Sequence, residues 1–218
     1  MAMSNLTGAW RRQRLRESRL YLCVDARSSR GDIGALLDAS LTSGVDIVQL
    51  RDKEASRTEL IEVSKIFRAA ADRHEALFIL NDDPELAVTV DADGVHVGQD
   101  DPAPAAAREI VGAERLIGRS THNPGQTDGA LEEDCDYFTI GPVHATPTKQ
   151  GRPGIGLDPV RHAAAVAGAR PWFVSGGMDA DTAPAVVAAG AQGLVIVRAI
   201  TEADDPARAA RGLATLVS

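Results

Sequence analysis

Three short polar clusters, each placed just after an apolar run, carry the chemistry that this sequence could perform. The first is Gln49-Leu50-Arg51-Asp52-Lys53. In an extended chain the two-residue repeat puts Gln49, Arg51 and Lys53 on one face, while Leu50 and Asp52 point away. Three such groups pack poorly inside a protein but suit a bound polyanion. The second and third are Asn81-Asp82-Asp83 and Gln99-Asp100-Asp101. One carboxylate from each, with waters and phosphate oxygens, is a common way to hold octahedral Mg²⁺, and Asp82 and Asp101 are the candidates. Asp83 and Asp100 stand close before prolines and are better read as caps on the helices that follow.

Further along, Gly118-Arg119-Ser120-Thr121-His122-Asn123 sets a serine near a histidine. No G-x-S-x-G elbow and no orienting acid accompany them, so Ser120 reads as a hydroxyl that donates to an anionic substrate. His122 reads as a capping or structural histidine, as do His74, His96, His144 and His162, whose spacing fits no zinc site. Thr146-Pro147-Thr148-Lys149-Gln150-Gly151-Arg152 brings one ammonium and two hydroxyls into a few residues. It lies in the longest irregular stretch, Gly141 to Gly156, which is expected to be an active-site loop or lid. Ser175-Gly176-Gly177 and Val197-Arg198 end the last two apolar runs. Glycines there let backbone N–H groups approach a phosphate closely.

These clusters need a scaffold that gathers strand ends on one face. Apolar runs at Leu20–Val24, Asp46–Leu50, Leu77–Leu80, Gly94–Val97, Leu116–Gly118, Tyr137–Ile140, Trp172–Val174 and Gly193–Val197 read as strands. Ala-rich amphipathic stretches between them read as helices: Ile33–Thr42, Arg57–Arg73, Ala103–Val111, Pro159–Val166, Thr182–Ala189 and Pro206–Leu216. Pro84–Thr89 and Pro124–Leu131 leave room only for short ones. Eight strand–helix units count out an α/β fold, a single-domain (β/α)₈ TIM barrel over residues 19–218. Residues 1–18 form an Arg-rich arm or lead-in helix. A doubly wound open sheet would want a Gly-rich turn after its first strand, and Cys23–Ser29 contains no glycine.

The 218 residues carry a formal charge of −8, which opposes nucleic acid or an anionic membrane as partner and leaves small anions acceptable at local basic clusters. Two cysteines match neither a disulfide framework nor a metal site, which points to a reducing, cytoplasmic compartment. No apolar run is long enough to span a bilayer, and the start lacks the apolar core of a signal peptide. Self-association stays open.

The same motifs, in their order and spacing, resemble thiamine phosphate synthase along nearly the whole chain after the arm. They are Gln49 to Lys53, Asn81-Asp82, His96-Val97-Gly98-Gln99-Asp100-Asp101, Ser120-Thr121-His122, Gly141-Pro142 through Thr146-x-Thr148-Lys149, Gly176-Gly177 and Val197 to Ile200. The resemblance implies that an aminopyrimidine methyl diphosphate loses diphosphate and that a thiazole phosphate captures the pyrimidine-methyl cation. It assigns the pyrimidine diphosphate to the Gln49–Lys53 motif, Leu50 and Asp52 included, and to Asn81, Ser120 and Lys149. It assigns Mg²⁺ to Asp82 and Asp101, and the thiazole phosphate to Thr146, Pro147, Thr148, Gly177, Val197 and Arg198. Arg51, Lys53, Ser120 and Lys149 would act on the leaving group. Arg198 stands where the family commonly has Ser, so either its guanidinium or only its backbone N–H meets the phosphate. A thiazole tautomerase would lack the diphosphate–metal set. A non-enzymatic phosphometabolite-binding barrel would not need the carboxylates. A Schiff-base aldolase would need an uncharged lysine, which neighbouring anions oppose.

Overall fold

The computed structural model describes residues 7–146 and 153–217. Eight parallel strands close into a barrel in chain order: β1 (Leu20–Val24), β2 (Ile47–Leu50), β3 (Leu77–Asn81), β4 (Gly94–Val97), β5 (Leu116–Thr121), β6 (Tyr137–Ile140), β7 (Trp172–Val174) and β8 (Leu194–Ile196). β8 returns to pair with β1 through Leu20↔Leu194, so no edge is left unpaired. The barrel and its order are those expected from the strand–helix count.

Helices α1 (Gly8–Glu17), α2 (Ile33–Leu41), α3 (Arg57–His74), α4 (Pro84–Thr89), α5 (Pro104–Val111), α6 (Pro124–Glu132), α7 (Asp158–Val166), α8 (Ala183–Ala188), α9 (Arg198–Thr201) and α10 (Pro206–Ala214) complete the described chain. None is long and apolar enough to cross a membrane.

The end of β5 and the start of α5 differ from the sequence expectation in ways that bear on the site. β5 runs on through Arg119, Ser120 and Thr121 because each polar side chain finds a partner. Arg119 donates to the Gly98 carbonyl and pairs with Glu133, and Thr121 donates to the Thr139 carbonyl. Ser120 is therefore a strand residue facing the barrel interior. The α5 start also moves. Its first residue is Pro104 and its N-cap Ala103, so Asp100 caps no helix, whereas Asp83 caps α4 by accepting from the Leu86 N–H at 2.7 Å. A four-residue helix, α9, follows β8 with only Val197 between, where the sequence pattern predicts strand to Val197 and no helix before Pro206.

Period-two alternation divides the apolar residues into two cores. Leu22, Val48, Phe78, Val95, Phe138 and Ile196 face outward to the helices. Tyr21, Ile47, Leu77, Ile79, Leu116, Tyr137 and Phe173 fill the interior, and Leu15 of α1 closes it from below.

The arginines of α1 explain how that plug is held. Arg14, Arg11 and Arg12 pair with Asp46, Asp93 and Asp136, each at 2.9 Å. Those aspartates immediately precede β2, β4 and β6. Their other oxygens accept from backbone N–H groups of Leu20, Phe78 and Ile117 on the preceding odd strands. Asp93 is fully buried and also meets Arg68 at 2.7 Å. Removing one partner of such a network leaves buried charge uncompensated, at about 3–5 kcal/mol. Asp93→Asn is expected to lower unfolding free energy by roughly 3 kcal/mol in urea titration. A loss under 1 kcal/mol would show that the Arg11 and Arg68 pairs with Asp93 contribute little, leaving α1 to Leu15 packing and the Arg12 and Arg14 pairs.

Candidate active site

At the C-terminal ends of the strands lies a cavity of about 600 Å³. Ligands of (β/α)₈ barrels bind at this end because the strand–helix loops there are free to vary while the strands hold them rigidly.

One side is built by β2, β3 and β4. Gln49 is buried, and its amide donates to Asn81 Oδ1 at 2.9 Å, which turns the Asn81 amino group away from Gln49. Arg51 and Lys53 continue the same face and line the cavity, as the two-residue repeat requires. Leu50 and Asp52 do not line it. Leu50 packs in the outer core, and Asp52 accepts from the Ala26, Glu54 and Ala55 N–H groups, fixing the loop that carries Lys53.

Asp82 follows β3 in the left-handed region, φ 64°, a conformation aspartate and asparagine tolerate better than most residues. Its N–H donates to the His96 carbonyl at 2.9 Å, which locks the turn to β4. Its carboxyl then meets Asp101, while Lys53 Nζ stands 3.2 Å away. Burial, and next the Asp101 carboxyl, push Asp82 above the usual aspartate range, against the opposing pull of Lys53. Asp101 is aimed by the Gly98 N–H, which donates to it at 2.7 Å. Two carboxylates brought together against their own repulsion form an all-oxygen donor pair that suits a hard divalent cation, with water and ligand oxygens completing the shell. Among the described residues no third His, Cys, Asp or Glu joins them. The residues therefore fit Mg²⁺ held jointly with a ligand.

The opposite side is built by β6, β7 and β8. Gly176 and Gly177 have φ 103° and 65°, so the turn after β7 is held in a shape that side chains resist. A Cβ at Gly177 would also lie 2.8 Å from that of His144. The Gly177 carbonyl accepts from Thr182 Oγ1 at 2.7 Å. Asp179 accepts from Thr182 and from the Asp181 N–H. Burial pushes Asp179 up, but these bonds outweigh it and hold the carboxyl below its ordinary value. Val197 and Arg198 complete this side, with Arg198 exposed at the rim.

The β6–β7 connection is tied down at both described flanks. Val143 N–H and His144 N–H donate to the Ser175 and Gly176 carbonyls, and Ile155 and Gly156 N–H to those of Pro142 and Val143. Thr146 lines the cavity. Pro147, Thr148 and Lys149 lie outside the described residues.

Between the two sides, on β5, Ser120 lies beside His96 of β4, with Ser120 Oγ 2.9 Å from His96 Nε2. Gln99 Nε2 donates to the Ser120 carbonyl at 2.6 Å. His122 donates from Nδ1 to the Gly141 carbonyl, a structural contact of the kind expected, although its side chain also borders the cavity. Sequence reasoning missed His96, Cys23, Thr139 and Asp179 as lining residues. Their common signal is position: His96, Cys23 and Thr139 sit on inward registers of their strands, and Asp179 in the loop that follows β7.

A family model described as thiamine monophosphate synthase matches residues 20–200. A thiamine-phosphate synthase of Mycolicibacterium vanbaalenii is 49% identical, covering 94% of this chain and 99% of its own. One from Thermobifida fusca is 52% identical, with 93% of each chain covered. Among solved structures, a thiamine phosphate pyrophosphorylase from Pyrococcus furiosus superposes with TM-score 0.83 at 29% identity, covering 94% and 96% of the two chains. A 3-hexulose-6-phosphate synthase at 24% identity and TM-score 0.64 shares the fold alone.

Proposed function

The chain belongs to the thiamine monophosphate synthase family, and from that premise we propose how its cavity joins an aminopyrimidine methyl diphosphate to a thiazole phosphate. The product is thiamine phosphate, and diphosphate leaves. The observation that carries the reading is the pairing of Asp82 and Asp101 next to Arg51 and Lys53, across one cavity from the Gly176-Gly177 turn.

The diphosphate lies against Arg51 and Lys53, whose charges offset the negative charge that grows on the leaving oxygens as the C–O bond breaks. Interactions that strengthen in this way lower the barrier rather than merely tightening the ground state. Mg²⁺ at Asp82 and Asp101 supplies further charge neutralisation to the diphosphate when bound. Gln49, Asn81 and Ser120 orient the pyrimidine. Lys149 adds a cation to the leaving group, as the sequence motif implies. The thiazole phosphate rests on the Gly177 and Val197 backbone with Arg198 at its rim, together with Thr146, Pro147 and Thr148. Its ring nitrogen is then the nucleophile that captures the pyrimidine-methyl cation, so capture needs no protein nucleophile.

Incubating the purified protein with both phosphorylated substrates and Mg²⁺ should yield thiamine phosphate by mass spectrometry. Its absence under conditions where a related synthase turns over would sink the reading.

Two separate anion sites also predict separable losses. Arg51→Ala should weaken pyrimidine diphosphate binding, and Arg198→Ala thiazole phosphate binding, each by about tenfold for one charge-assisted contact. Titration calorimetry with each substrate alone reads both. Equal losses for both ligands in either variant would mean the sites overlap. Arg198 is a cleaner probe than Gly177, where any side chain meets His144.

A further inference from the structure

From the cavity lining down into the barrel interior runs a buried line of polar groups, of which the reaction as described uses only Ser120. Tyr21 OH lies 3.0 Å from Tyr137 OH, which lies 3.2 Å from His96 Nδ1. His96 Nε2 in turn lies 2.9 Å from Ser120 Oγ, with Thr139 Oγ1 a longer neighbour at 3.4 Å. The line crosses the barrel interior from β1 to β6 and back to β4 and β5. Gly118 makes it possible, since a Cβ there would overlap the Tyr137 ring and His96 Nδ1. Both phenols are fully buried, which pushes them far above the ordinary tyrosine range, so each keeps its proton.

Each phenol and each neutral imidazole has one proton to place. Tyr21 has its hydroxyl partner in Tyr137, and its ring packs edge-on to Phe173 within the apolar inner core. Among the described residues Tyr21 OH hydrogen-bonds only to Tyr137, its other neighbours being apolar side chains and the weakly accepting Cys23 thiol, so if protons ran from Ser120 down the line, Tyr21's would be left without a good acceptor. A doubly protonated imidazole strands the same proton. Running upward, every proton is used: Tyr21 donates to Tyr137, Tyr137 to His96 Nδ1, and His96 Nε2–H to Ser120. A buried donor left unmade costs more than a hydrogen bond is worth, so the upward direction wins.

We propose that Tyr137 is a positioning residue that fixes His96 as the Nε2–H tautomer and thereby commits the Ser120 hydroxyl to donate into the cavity. Ser120 already accepts from His96, so its own proton points to the ligand. The site then selects an acceptor atom at that point, which on the functional reading above is a ring nitrogen of the aminopyrimidine, and disfavours a ring N–H. The tautomer assignment stands independently of that reading.

Long-range ¹H–¹⁵N spectra of the ¹⁵N-labelled full chain test it, with the His96 ring assigned by its loss in His96→Gln. The expected pattern is protonated Nε2 and bare Nδ1, and a protonated Nδ1 in the parent protein would overturn the proposal without any Tyr137 variant. Tyr137→Phe should allow both tautomers. Tyr21→Phe should keep the parent tautomer, because the Tyr137 proton then faces the same choice. In turnover, Ser120→Ala and Tyr137→Phe should each raise KM for the pyrimidine diphosphate about tenfold, the worth of one hydrogen bond. Their double variant should lose no more than either alone, since Tyr137 acts through Ser120. Additive losses, or an unchanged tautomer in Tyr137→Phe, would show that Tyr137 only fills space. Absence of any synthase activity would remove the pyrimidine assignment and leave the tautomer result to be judged on the spectra.

Discussion

Asp82→Asn should lower turnover at limiting Mg²⁺ by on the order of 10²-fold, with part of the loss recovered at higher Mg²⁺. The substitution removes one charge and almost no volume. Asparagine also accepts the left-handed backbone of residue 82 at least as readily as aspartate, so the turn locked to the His96 carbonyl should persist. Stability separates a ligand role from a structural one. In the metal-free protein Asp82 is raised by burial and by Asp101, so its ionised form opposes folding. A carboxyl whose folded-state pKa is raised contributes stability at low pH that is lost as pH rises through that value. At neutral pH, with EDTA present, Asp82→Asn should therefore unfold no more easily than the parent while turning over far more slowly. Thermal unfolding with and without Mg²⁺, beside a Mg²⁺ titration of rate, reads both quantities. Full activity at an unchanged Mg²⁺ requirement would remove Asp82 from the ligand set.

The barrel was legible because its strands are short apolar runs and its crossovers Ala-rich, two periods that do not mimic each other. The Gln49, Arg51 and Lys53 face followed from the same period, and so did the outward turn of Leu50. Legibility failed where polar residues stay in regular structure. Arg119, Ser120 and Thr121 look like a loop until Gly98, Glu133 and Thr139 supply the partners that let β5 continue. Asp100 reads as a cap because a proline follows nearby, but Pro104 takes the first helical position and moves the start beyond its reach. The Tyr21–Tyr137–His96 line was hidden for a different reason. Aromatic residues on strands read as packing, and β1 pairs with β2 and β8. Its contact with β6 exists only across the closed interior, between residues 116 positions apart.

Lys149→Ala should lower turnover by ~10²–10³, or ~2.7–4 kcal/mol, the usual cost of removing one group that meets charge developing in the transition state. Lys149 lies outside the described residues. Its segment springs from Thr146, which lines the cavity. An ammonium there would meet leaving-group oxygens that gain charge as the C–O bond breaks, so the effect should fall on turnover more than on substrate affinity. Lys149→Arg should recover part of the loss, since a guanidinium keeps the charge but spreads it over a larger planar group. A Schiff-base role predicts a different pattern: borohydride would trap substrate on Lys149, and arginine would rescue nothing. The anionic substrates themselves oppose that role, since they hold a nearby amine in its charged, non-nucleophilic form. Single-turnover rates for the three proteins, with a borohydride trap analysed by mass, decide between the two. A trapped adduct, or an alanine variant as fast as the parent, would overturn the leaving-group assignment.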